Sequence, residues 1–67
     1  MKNTYVIKQS IKLQSGISLI YYYCGQDQLG AKMTPYMEQA ERITRKDEAT
    51  RIAKGLKSGV ADVIKLY

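Results

Sequence analysis

Residues 4 to 24 run Thr4-Tyr5-Val6-Ile7-Lys8-Gln9-Ser10-Ile11-Lys12-Leu13-Gln14-Ser15-Gly16-Ile17-Ser18-Leu19-Ile20-Tyr21-Tyr22-Tyr23-Cys24. Tyr5, Ile7, Ile11 and Leu13 occupy odd positions, and Thr4, Lys8, Ser10 and Lys12 occupy even ones. This alternation predicts a half-buried strand over Thr4 to Leu13. Gln14-Ser15-Gly16 is a three-residue connection ending in glycine, which suits a type I turn closed by a residue with positive φ. Ile17 to Cys24, rich in β-branched and aromatic residues, is then the returning strand. A loop of that length pairs Leu13 with Ile17, Ile11 with Leu19, Gln9 with Tyr21 and Ile7 with Tyr23, all on one face. A one-residue slip would turn every side chain over, so turn chemistry and hydrophobic pattern agree on one register. The other face carries Lys8, Ser10, Lys12, Ser18, Ile20 and Tyr22.

Gly25 to Gly30 is polar with a glycine at each end, and a turn is expected there before Ala31. Residues 31 to 43 admit two readings. Thr34 could cap a short helix with Pro35 at its first position, running through Met37, Ala40 and Ile43. The same segment could be a third strand with a turn. Thr44-Arg45-Lys46-Asp47 resembles a capping box with Asp in place of Glu, and Ala49, Ile52, Ala53 and Leu56 follow it at helical spacing. The six-residue gap from Ile43 to Ala49 breaks helical phase, so the two segments are separate elements. Ser58 and Gly59 are expected to end the helix, with Gly59 in the left-handed position. Val60 to Tyr67 reads as a last strand, apolar on both faces at Val63, Ile64 and Leu66. The fold class is α+β: one domain over residues 1–67, a small antiparallel sheet of three or four strands, and one amphipathic helix across one face. The other face is expected to lie in water.

A chain of 67 residues buries only about 60% of the surface that its unfolded form exposes, and chains this small usually need a staple. The single cysteine, Cys24, forms no internal disulfide, and without histidine no zinc ligand set is available. Self-association or a partner protein is the staple that the composition leaves open, beside a well-packed monomer. The opening residues carry no apolar signal region and no apolar run approaches a membrane span, so a cytoplasmic location is expected. Eleven Lys and Arg against six Asp and Glu give a net charge of +5. That excess suits nucleic acid, an acidic protein surface or simple solubility.

Enzyme chemistry finds little material. Without histidine there is no Ser-His-Asp or Cys-His arrangement. The five glycines match no phosphate-binding spacing. Glu38 and Glu41 would sit together if their segment were helical, and Asp47 and Glu48 fall in the first turn of the next helix. Acids at helix starts favour caps and dipole, and this outweighs an acid-base role. Cys24 reads as a small packed residue. No enzyme activity, cofactor or metal is expected.

Two surfaces remain as candidates for binding. On the outward face of the hairpin, Lys8 and Lys12 stand beside Tyr22, a combination that holds phosphate and stacks a base in single-strand binders. Around the helix start, Arg42, Arg45 and Lys46 crowd one connection, with Arg51, Lys54 and Lys57 further along the helix. Cations near a helix N-terminus oppose the dipole, which points to a reason for them outside the helix. The tyrosine-rich strand and the sheet edges also suit protein recognition.

The opening Met1-Lys2-Asn3-Thr4-Tyr5-Val6-Ile7-Lys8 and the segment Met37-Glu38-Gln39-Ala40-Glu41-Arg42-Ile43-Thr44-Arg45-Lys46-Asp47-Glu48-Ala49 resemble small open reading frames of phages and prophages. The plan is similar to that of some small type I anti-CRISPR proteins. The resemblance implies a short basic α+β protein that inhibits a host surveillance complex by occupying surfaces meant for target DNA. It covers a third of the chain and carries over a type of activity, with no individual residue. The leading expectation is therefore a non-enzymatic inhibitor of a host defence complex, acting by stoichiometric binding and blocking of nucleic-acid access. Two alternatives stand beside it: a small basic DNA- or RNA-binding protein, and an interaction subunit that dimerises through a strand edge.

Overall fold

The first hairpin forms as its alternation requires. In the computed structural model, which describes residues 3–56 and 59–66, β1 (Tyr5–Lys12) pairs antiparallel with β2 (Ser18–Asp27). Gln9 lies opposite Tyr21 and Ile11 opposite Leu19, as the loop length demands. Leu13 N–H donates to the Ile17 carbonyl at 2.8 Å, and Gly16 closes the turn at φ 91°, a conformation that costs glycine little.

The second strand is longer than its pattern predicts. It passes through Cys24 and Gly25 to Asp27, with a bulge between Tyr23 and Gly25, and turns at Gln28–Leu29 into β3 (Gly30–Thr34). Asp27 Oδ1 accepts the Leu29 N–H at 2.8 Å, a local bond that holds the tight turn. The open question at 31 to 43 resolves both ways. Gly30–Thr34 is a strand, and only Met37–Gln39 coils, as a single 3-10 turn. Thr34 does not open a long helix because its hydroxyl serves that turn: it accepts the Tyr36 N–H at 3.2 Å and donates to Gln39 Oε1 at 2.9 Å.

Residues 41 to 43 then run extended between the ends of β1 and β2. Glu41 N–H donates to the Tyr23 carbonyl, and Ile43 exchanges both backbone bonds with Tyr5 at 2.8 and 2.9 Å. The helix α1 (Lys46–Gly55) begins one residue later than a Thr44 cap would place it. Arg45 occupies the cap position without a capping side chain, and Asp47 accepts from the Arg45 guanidinium at 2.9 Å. That charge-assisted bond takes the carboxylate that a capping box would turn back to the Thr44 backbone N–H. At its far end the helix stops at Gly55, with Leu56 N–H bonded to the Ala53 carbonyl. Gly59 is left-handed as expected, at φ 73°, but it leads into β4 (Val60–Lys65). Met1 and Lys2 of the opening motif, Lys57, the Ser58 end of the helix and Tyr67 of the last strand lie outside the described residues.

The four strands lie in the order β3-β2-β1-β4, all antiparallel. Helix α1 covers the odd-numbered face of β1, where Tyr5, Ile7, Tyr23, Ile43 and Ala49 form the buried cluster, with Ile52, Ala53, Leu56 and Val63 packed against it. The opposite face is not wholly in water. Val6 is 1% exposed and Thr34 is buried, because the Met37–Gln39 turn folds back on β2 from the face that carries Thr34. Among the described residues no helix is long and apolar enough to cross a membrane.

Candidate functional site

Strand register brings the hairpin candidates together in rows across the open face. Thr34, Tyr22, Lys8 and Asp62 are successive cross-strand partners over all four strands. Ile20, Ser10 and Val60 form the next row, and Ser18 with Lys12 the last. The alternation of β3 adds Lys32 to the face of Thr34. Lys8 and Tyr22 are half-buried and Lys12 is exposed. Lys8 thus has Asp62 as its cross-strand neighbour on one side and Tyr22 on the other, a juxtaposition of opposite charges that favours the pairing.

The three cations of the helix start line three different hollows. Arg42 lines a hollow with Met37, Glu38 and Leu66. Arg45 is held by Asp47, in the one ion pair found among the described residues. The same contact answers why a cation stands at a helix N-terminus: the Arg45 hydrogen bond, with help from backbone donors, holds the Asp47 carboxyl below its ordinary range. Lys46 lies on the outer side of the helix, beside Thr50 and Lys54.

Residue patterning missed two features. At the distal end of the hairpin the sheet outruns its cover. Ile17 is 61%, Ile20 43% and Val60 63% exposed, and Leu13 and Leu19 are exposed beside them. The alternation correctly assigned the odd residues to the helix face, but a ten-residue helix spans only about 15 Å and covers only the proximal half. The second feature is a hollow of about 680 Å³ between α1 and the end of the β2–β3 hairpin, lined by Tyr23, Glu41, Glu48, Arg51, Ile52 and Leu56 among others. Glu41 does not join Glu38 as a helical spacing would have it. The extended chain after Gln39 sends Glu38 to the Arg42 hollow and Glu41 to this one. Tyr23 forms its floor, and its phenol pKa is raised by burial first and then by the Glu41 and Glu48 carboxylates.

Among the described residues no three His, Cys, Asp or Glu side chains are grouped to hold a metal ion. Cys24 is a half-buried free thiol at the β2 bulge. No family model, no curated protein and no solved structure matches this chain.

Proposed function

We propose that this chain acts without catalysis, as a stoichiometric binding protein that docks on a protein surface through the distal β1–β2 hairpin. The observation that carries this reading is the exposure of Leu13, Ile17, Leu19, Ile20 and Val60 at that end. Scattered single apolar residues need no explanation, but a cluster at one end of the sheet, from the hairpin and the neighbouring start of β4, is the kind of patch that partners cover. Charge on the open face supports a protein partner over a phosphate track, since Asp62 stands directly opposite Lys8 in the ladder. The narrower form of the proposal is a phage or mobile-element inhibitor that blocks nucleic-acid access to a host defence complex. Small size, positive charge and the resemblance of two segments to such proteins support it.

The test is capture from a bacterial lysate together with a plasmid assay of CRISPR interference. Retention of a nucleoprotein complex and relief of interference are expected. Recovery of no such complex, with interference unchanged, sinks the narrower form. Direct nucleic-acid binding is the second reading, favoured by Lys8, Lys12 and Lys32 sharing the open face with Tyr22. It requires oligonucleotide retardation at low salt and a steep linear fall of log affinity with log salt.

A further inference from the structure

The sheet is open, with β3 and β4 at its edges, and the two edges differ. β3 is short, its neighbour bulges between Tyr23 and Gly25, and it stops just before Pro35, features that blunt an edge against further pairing. β4 pairs with β1 from Val60 to Lys65 without a register shift and contains neither proline nor glycine. The Leu66 N–H donates to the Thr4 carbonyl at 2.7 Å, and bonded pairs alternate along an antiparallel ladder. Ile64, Asp62 and Val60 therefore turn their backbone groups toward β1. Those of Ala61, Val63 and Lys65 point away from the sheet, and no backbone bond among the described residues uses them. Such a row is a template for one more strand.

We infer that a second copy of the chain docks on this edge, β4 against β4, so that the two four-stranded sheets become one. A two-fold axis between antiparallel strands runs perpendicular to the sheet and keeps each face with its like. Outward-facing residues then pair with outward-facing residues. Centring the axis on Val63 matches Ala61 with Lys65 and Val63 with its own counterpart, which satisfies every outward group of β4. An axis on Asp62 would set two carboxylates directly opposite each other, which is unfavourable, and an axis on Ile64 would carry Ala61 past the end of the strand. The favoured register also sets Val60, 63% exposed, against Leu66 and places the long Lys65 side chain opposite Ala61, the smallest residue of the strand. The strand is thus its own complement, and its one acid and one base, Asp62 and Lys65, leave it neutral within a chain of +5. A thin interior adds a reason for self-association: among the described residues the large side chains fully buried are Val6 and Ile7, in a chain of 67 residues with a single cysteine and no histidine to staple it. Val60 apart, the docking surface proposed above stays open in this dimer, and the two proposals stand or fall separately.

The test is sedimentation equilibrium of the full chain from micromolar to millimolar concentration, with amide hydrogen exchange at both ends of that range. Salt at about 0.15 M limits the repulsion between two positive chains to a range of about 8 Å. A monomer–dimer equilibrium is expected, in which the Ala61, Val63 and Lys65 amides slow as the dimer fills, while those of Asp62 and Ile64 are protected at every concentration. Lys65→Pro removes an outward donor at an exposed position without touching the β1 ladder. The two-fold axis doubles that loss, so the dimer should weaken roughly ten-fold or more, and continued protection of Asp62 and Ile64 shows that the strand is intact. The exchange pattern of the unaltered chain decides the question even where the variant loosens the strand. A monomer throughout, a dimer whose Ala61, Val63 and Lys65 amides exchange as fast as the monomer's, or an undiminished dimer of the folded variant would overturn the inference. Protection of those amides only after another protein is added would assign the edge to a foreign strand and overturn the second copy.

Discussion

Gly55 and Gly59 differ in what surrounds them, and the same substitution should act on them in opposite directions. A Cβ at Gly59 would run into the backbone carbonyl of Ser10, and φ there is +73°. Gly59→Ala is expected to cost about 2–3 kcal/mol from the left-handed conformation and the displaced strand. Gly55 ends α1 with nothing within 4 Å of a Cβ, so Gly55→Ala should stabilise by about 0.5–1 kcal/mol. Chemical denaturation of the two variants checks both signs. Tyr23 sets an alkaline limit. Its folded pKa is raised, so its contribution is complete below the unfolded tyrosine value of about 10 and is lost as pH rises beyond it. Tyr23→Phe should flatten the alkaline limb of the stability profile. Asp47 works in the other direction. Its lowered carboxyl pKa gives a contribution present above the ordinary carboxylate range and lost as pH falls through the lowered folded value. Arg45→Ala should move the Asp47 titration midpoint upward, as read by carbon-13 resonance.

Thr34 shows how an element can hang on one side chain. Its hydroxyl joins β3 to the 3-10 turn through Tyr36 N–H and Gln39 Oε1, and this turn is what covers the second face of the sheet. Thr34→Val keeps the shape and leaves both partners unmatched, for an expected loss of about 1–3 kcal/mol with Val6 becoming more open to solvent exchange. Strand and helix identities were readable locally. Tyr5, Ile7 and Ile11 alternate, Gly16 sits where a three-residue loop needs it, and Ala49, Ile52, Ala53 and Leu56 recur at helical spacing. The bounds were less so. Cys24 and Gly25 looked like the end of a strand because neither signals a bulge, and a bulge is made by the partner strand that opposes it. Thr44 looked like a cap because sequence does not show that Ile43 is pinned to Tyr5 or that Asp47 answers to Arg45.

The molecule measures 42 × 27 × 20 Å with a radius of gyration of 11.9 Å, against about 11 Å for a compact chain of this length. The extra length fits a hairpin that projects beyond the helix, and it makes function separable from stability. Replacing Ile17, 61% exposed, by serine should leave stability within about 1 kcal/mol, since exposed positions contribute little, while weakening capture of the partner. Loss of folding with loss of capture would count against the docking surface. Sequence alone settled the α+β class, the first hairpin with its register, the amphipathic helix and the face on which Lys8, Lys12 and Tyr22 lie, because each follows from a period or a turn within a few residues. Tertiary structure alone decided that Asp62 stands across the ladder from Lys8, that Arg42, Arg45 and Lys46 line different hollows, that the hairpin tip stays uncovered, and that Glu41 and Glu48 line one hollow with Tyr23. Those outcomes depend on which distant segments share a ladder or a wall, and no local pattern encodes the pairing of residues that only the packed chain brings together.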